Sequence, residues 1–165
     1  MRELVETKQA IFELSCRYMR SLDRLDAELR HTVFHDDATV DYGFFKGSAR
    51  DFVDFAQNAL VDHLANHHML GQALIDVDGD FATGEVYFQA FHKIVEDGEE
   101  KDLFIAGRYI DRYEKRNGVW KISFRAEVND WSRTEPAADN FLKAPTRSLV
   151  GARKPDDYSY GVLPE

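Results

Sequence analysis

Residues 103–131, Leu103-Phe104-Ile105-Ala106-Gly107-Arg108-Tyr109-Ile110-Asp111-Arg112-Tyr113-Glu114-Lys115-Arg116-Asn117-Gly118-Val119-Trp120-Lys121-Ile122-Ser123-Phe124-Arg125-Ala126-Glu127-Val128-Asn129-Asp130-Trp131, decide the architecture. Two alternating runs flank Asn117-Gly118, the dipeptide best suited to the positive φ values of a two-residue hairpin turn. Upstream, Asp78-Gly79-Asp80 and Asp97-Gly98 repeat that punctuation, so residues 67–77, 81–95, 103–114 and 119–131 read as four consecutive strands. Each run is long for a strand. Long meandering strands twist and curl, and a strongly bent antiparallel sheet is expected.

Toward the N-terminus the period changes. Val5, Ile11, Phe12, Leu14, Tyr18 and Leu22 recur at helical spacing and predict one long helix. Asp26 is a candidate N-cap for a short helix running through Leu29 to Phe34 and ended by Asp36-Asp37, after which Ala38 to Tyr42 alternates as a short strand. Ser48 can cap a third helix from Ala49 to about Asp62, with Phe52, Phe55, Ala59 and Leu60 on its buried side. Helices first and strands after them give an α+β fold with no βαβ repeat. The body spans residues 1–135. Residues 136–165, with Pro136, Pro145 and Pro155, form a tail whose Phe141, Tyr158 and Tyr160 need a surface, either the body or a neighbouring subunit; disorder is the other reading.

At 165 residues, with 44% hydrophobic and 13% aromatic content, the chain is long enough for one core and too apolar to be disordered. A net charge of −9 argues against nucleic acid and anionic membranes, which call for clustered Lys and Arg. Cys16 is the single cysteine and has no internal partner, which suits a reducing cytoplasm. No segment reads as a membrane span or a signal peptide, so a soluble cytoplasmic protein is expected.

The ordered set of Tyr18 and Asp23, Phe34-His35-Asp36-Asp37-Ala38, Lys46-Gly47, His68-Met69-Leu70-Gly71-Gln72, and the closing hairpin through Trp120-Lys121 and Arg125 resembles the SnoaL-like branch of the nuclear transport factor 2-like superfamily. Its relatives in pattern are bile-acid 7α-dehydratase, hexachlorocyclohexane dehydrochlorinase and scytalone dehydratase. The resemblance covers roughly residues 5 to 131. It implies a cone-shaped roll: a strongly curved mixed or antiparallel sheet wrapped around the N-terminal helices and open at one end to an apolar pocket. It also implies catalytic roles for Asp23, His68 and Arg125, with Gln72 standing where the family usually carries Asn.

Read as chemistry, a carboxylate that orients an imidazole makes a general base suited to pulling a proton from carbon. Tyr18, Tyr42, Phe55, Phe88, His92 and Trp131 are the residues expected to bind substrate around that base. Arg125, His92 or Tyr18 could donate to a leaving group that departs with negative charge. The expected function is a cofactor-independent lyase of the dehydratase kind, or an isomerase, acting on a hydrophobic cyclic small molecule. A non-catalytic carrier of the same fold and the small subunit of an oxygenase are the alternatives, and a homodimer or homotrimer through the outer sheet face is the expected assembly.

Each residue also has a plainer reading. Asp23 can simply end the first helix, and a strand histidine such as His68 or His92 is often just a hydrogen-bonded core residue. A buried Arg125 needs a carboxylate, for which Asp23 is the candidate. His31 with His35 and His63 with His67 have the four-residue spacing of metal ligands, but the second pair straddles a helix end and Asp36-Asp37 suits a solvated turn, so no metal is expected.

Overall fold

Three tight turns set the sheet. Asp97-Gly98 and Asn117-Gly118 each place both loop residues at positive φ, between 53° and 80°, as a type I′ hairpin requires, and Gly79 takes φ 59° at the first loop position of the remaining turn. The computed structural model describes residues 2–139 and 148–163; Phe141 and Pro145 lie outside the described residues. The elements are α1 (Arg2–Asp23), α2 (Ala27–Thr32), β1 (Phe34–Asp41), β2 (Lys46–Ser48), α3 (Ala49–Leu60), β3 (Ala65–Asp78), β4 (Phe81–Glu96), β5 (Glu99–Arg116), β6 (Val119–Pro136) and a closing 3₁₀ turn at Tyr158–Gly161. The six strands form one curved, unclosed sheet in the order β2-β1-β6-β5-β4-β3. It is mixed, because β1 joins β6 in parallel while every other pair is antiparallel.

The first strand differs from the sequence reading. Phe34 starts β1 and Asp36-Asp37 lie within it, because the two aspartates face solvent on an irregular stretch between the Phe34 and Thr39 pairings. The third helix buries a face rotated from the expected one. Phe52, Val53, Ala56 and Leu60 point inward, whereas Phe55 and Ala59 are exposed.

The helices cover the concave side. Ile11, Leu14, Tyr18, Met19 and Leu22 of α1 share one core with Phe52 and Val53 of α3 and with Val86, Phe88, Tyr109, Tyr113 and Ile122 of the sheet. Arg30, with no exposed surface, ties the three helices together by bonding Ser21 Oγ (3.1 Å), the Ser21 carbonyl (2.9 Å) and the Val53 carbonyl (3.3 Å). It serves as an internal crosslink built from neutral acceptors.

Bulges decide which side chains look inward. One extra residue falls on β3 between Leu70 and Ala73, one on β6 at Ser123 and one on β6 at Asp130. The bulge at Ser123 puts Ile122 and Arg125 on the same concave face, against the simple alternation that would separate them. The bulge at Asp130 turns Trp131 outward, beside Ala106, Gln89 and Met69. At the same place a side chain on Gly107 would run into the Val128 carbonyl and the Phe88 ring, so glycine permits the close approach of β6.

Candidate active site

The end of α1 is fixed before its last residue acts. The Asp26 N–H reaches back to the Ser21 carbonyl (2.9 Å) and Leu25 turns to φ 51°, a helix-terminating arrangement that holds Asp23 in the final turn facing β3. Both Asp23 carboxylate oxygens accept the His68 backbone N–H at 3.1 Å, and Oδ1 also accepts His68 Nδ1–H at 2.7 Å. The carboxylate therefore grips the strand and its ring at once. With the proton on Nδ1, the lone pair of His68 is on Nε2, the nitrogen a base would use. The His68 side chain is 6% exposed and that of Asp23 11%, so the pair is shielded from bulk water.

Cross-strand register puts His68, Ala90, Ile105 and Ser132 in one row across the concave face. Burial falls along that face. Asp111, Tyr113 and Ile122 at one end are at most 1% exposed, Glu127 is intermediate, and Asn129, Ser132 and Thr134 at the other end are exposed. The sheet opens toward His68.

Next to His68 stands His92, its ring edge-on at 5.1 Å. Burial, then the His68, His63 and Arg153 charges, push the His92 imidazole down to about 3, so it is neutral near pH 7. Asn66 completes the cluster: with its amide oxygen on the Arg153 guanidinium (3.2 and 3.0 Å), its nitrogen donates to His63 Nδ1 and His92 Nδ1 at 3.0 Å each. Because the folded-state value lies below the ordinary one, the unfolded chain binds the extra proton between about pH 6.5 and about pH 3, and stability falls as the pH drops through that window. His92→Gln should flatten this acid limb by up to roughly 5 kcal/mol, read from urea melts at a series of pH values.

The opposite side of the interior is aromatic and cationic. Tyr18 and Tyr42 share a buried hydroxyl–hydroxyl bond of 2.8 Å, and Phe88 stacks on Tyr109 at 4.6 Å. Arg125 is fully buried, sandwiched with its guanidinium 4.4 Å from the Tyr18 ring centre and 4.0 Å from that of Tyr109. Its carboxylate partner is Asp111, through Nε–Oδ1 at 2.8 Å and Nη2–Oδ2 at 2.7 Å, and not Asp23, which is already committed to His68. Desolvation opposes the Arg125 charge, but the Asp111 carboxylate outweighs it and holds the guanidinium firmly protonated.

Of the expected set, Asp23, His68 and His92 are in contact with one another, and Tyr18, Tyr42, Phe88 and Arg125 pack in a second, fully closed cluster of the concave core. Phe55 is not among them: it is 43% exposed and packs with Phe44, Phe45 and Phe52 in an outer aromatic cluster, because α3 turns its other face inward. Trp131 is 51% exposed on the convex face, turned there by the Asp130 bulge. The paired histidines do not converge: His35 bonds the Glu114 carbonyl, His63 faces His92, and His67 is exposed. Among the described residues no group of three His, Cys, Asp or Glu could hold a metal, and no helix is long and apolar enough to cross a membrane.

Two polar features escaped the sequence reading. Asp111 neutralises Arg125, and Glu127, opposite Tyr109, lies on the same inward face two residues beyond Arg125. Strand parity with Arg125 was the signal for Glu127. The tail also returns to this region. Arg24 bonds Asp157 (2.6 Å) and the Ala152 carbonyl (2.7 Å), Tyr160 donates to Asp26 (2.8 Å), and Arg153 donates to the Asp23 and His63 carbonyls. Two cavities flank Asp23: one of about 540 Å³ between α1 and β3 that reaches His68, and one of about 420 Å³ lined by Asn66, Lys93 and Arg153.

Comparison with known proteins places the fold. The family model described as the SnoaL-like domain matches residues 3–126. Among solved structures, the hexachlorocyclohexane dehydrochlorinase LinA-type3 from Novosphingobium barchaimii LL02 is 21% identical, over 81% of this chain and 92% of its own, with a TM-score of 0.71. A putative scytalone dehydratase from Novosphingobium aromaticivorans DSM 12444 is 23% identical, over 82% and 91%, with a TM-score of 0.70. A protein of unknown function with a cystatin-like fold from Nostoc punctiforme is 25% identical, over 74% and 90%, with a TM-score of 0.62. No curated protein matches the chain.

Proposed function

We propose, from the premise that this chain belongs to the SnoaL-like domain family, that it is a cofactor-independent lyase or isomerase acting on a hydrophobic cyclic small molecule. The observation that carries this reading is the 2.7 Å contact between Asp23 and His68 Nδ1 on the concave face, with the same carboxylate gripping the His68 backbone. Neighbours named as a dehydrochlorinase and a putative scytalone dehydratase agree with it.

The steps follow from the residues. His68 Nε2 takes a proton from a carbon acidified by an adjacent group, and the resulting imidazolium is stabilised by Asp23 without any movement of the carboxylate. In this reading a ring system sits in the cavity beside His68, where Phe12, Met19 and Leu70 supply apolar surface, while Tyr18, Phe88, Tyr109 and the Arg125–Asp111 pair are closed in the core behind it. Positioned acid–base groups contribute about 10²- to 10⁴-fold each, which suffices for a moderate lyase. In this reading the protein assembles through its convex face, where Leu74, Ile110, Val128 and Trp131 are exposed together.

The test is a panel of hydroxylated steroids and polycyclic phenols incubated with the protein and scanned by mass spectrometry for loss of water or for an isomer of altered retention. Conversion of at least one compound by the native protein is expected. Saturable binding across the panel without any conversion would instead support a carrier.

A further inference from the structure

The cavity between α1 and β3 that reaches His68 holds a cation with no part in the proton transfer. Its helical wall is Phe12, Cys16, Met19, Arg20, Asp23 and Arg24, positions three or four apart that share one side of α1. The other arginines of that helix are paired: Arg2 meets Glu6, Arg17 meets Glu13 at 3.4 Å, and Arg24 meets Asp157 at 2.6 Å. Arg20 has no carboxylate at ion-pair distance among the described residues. Its Nη2 donates to the neutral Ser159 Oγ at 3.1 Å, which leaves the rest of the guanidinium fork without a protein acceptor there. Of the charged groups lining the cavity, Asp157 is matched by Arg24 and Asp23 is held by His68, so Arg20 is the one left over.

The tail holds this free cation in place instead of neutralising it. The Arg20 guanidinium lies 4.9 Å from the centre of the Tyr160 ring, and the Ser159 hydroxyl that it bonds is itself fixed, donating to Asp157 Oδ1 at 2.5 Å. Arg24 and Arg153, by contrast, direct their donors at backbone carbonyls of the tail and body, as arginines that only fasten a segment do. Stacked on a ring and held at one nitrogen, Arg20 is pre-organised at small entropic cost to a ligand. The space it borders, about 540 Å³, lies within the range of roughly 300–1,000 Å³ typical of small-molecule sites. Arg20 stands three residues, roughly 4.5 Å of helix, before Asp23, so a ring beside His68 presents its substituent to the guanidinium.

We propose that Arg20 is the anion anchor of this cavity and that the ligand is a ring compound bearing a carboxylate, its ring beside His68 and its carboxylate on the guanidinium. For turnover this rests on the Asp23–His68 reading, and it narrows the substrate from any hydrophobic ring to a ring acid. A planar carboxylate matches the fork with two parallel charge-assisted bonds. Phe12, Met19 and Leu70 cover the ring. A phosphate dianion fits less well, because Asp157 stands behind Ser159 on one side and Asp23 lies one turn along the helix on the other.

Binding tests the assignment without turnover. The probes are 2-naphthoate, its neutral isostere 2-naphthamide and 2-naphthyl phosphate, with affinity for the full chain followed by fluorescence at neutral pH. The native protein should bind the carboxylate about tenfold tighter than the amide and no more weakly than the phosphate. Arg20→Gln should bind carboxylate and amide equally, with the amide affinity of the native protein, which shows the cavity intact. Should that variant lose the amide as well, a salt titration of the native protein decides: between about 0.02 M and about 0.5 M the carboxylate preference should shrink to about twofold while the amide stays level. Equal native affinities, a preference that survives Arg20→Gln or high salt, a phosphate that binds tightest, or no binding of either ring up to its solubility would overturn the proposal. His68→Ala should keep the carboxylate preference. Lost conversion with that preference intact removes the base alone, and conversion of a neutral ring with no preference removes the anchor alone.

Discussion

Arg125→Ala should lower the free energy of unfolding by about 3–5 kcal/mol, measured by urea denaturation at neutral pH. The physical reason is what stays behind. Asp111 is 1% exposed and has Arg125 as its cation and Tyr113 as its hydroxyl donor (2.7 Å); without the guanidinium, a buried carboxylate must remain charged and unpaired or take up a proton. The rings of Tyr18 and Tyr109 also lose the planar cation between them. Replacing both partners, as in Arg125→Met with Asp111→Leu, should recover most of the loss, because two matched apolar side chains leave no charge to solvate. A single-variant loss below about 1 kcal/mol would show that the pair does not hold the centre of the sheet.

Asp23→Asn should leave the fold largely in place and cut turnover by about 10²- to 10⁴-fold on whichever compound the panel identifies. Asparagine keeps an oxygen for the His68 backbone N–H, so the strand stays anchored. It lacks the charge that fixes the Nδ1–H tautomer and balances the imidazolium. The drop should fall on kcat, with KM nearly unchanged, since Asp23 binds the base and not the substrate. A variant with native kcat would remove Asp23 from the mechanism.

The class of fold was readable because three Gly-containing turns fix the hairpins and the helical period of α1 is strong. The Asp23–His68 pairing was readable only through the ordered motif, since nothing local in either segment predicts a contact across 45 positions. What escaped reading is bulge-dependent. Counting outward from Asn117-Gly118 pairs Arg125 with Ile110, and the extra residue at Ser123 shifts the partner to Asp111. A bulge leaves no compositional mark at Ser123 or Asp130, so the partner of Arg125 and the outward turn of Trp131 were both hidden. For Phe55 the difficulty was rotational: Phe52 and Phe55 are three apart on α3, either could lead the buried face, and the choice falls to Val53 and Ala56. Glu127 needed only parity with Arg125, since no extra residue falls between them on β6.

The central claim is that the His68 imidazole removes the proton while Asp23 works only through it. A double-mutant cycle on kcat/KM for the compound converted by the native protein tests it directly. His68→Ala should lose about 10³-fold, and His68→Ala combined with Asp23→Asn should be no slower than His68→Ala alone. Native turnover in His68→Ala would contradict the account.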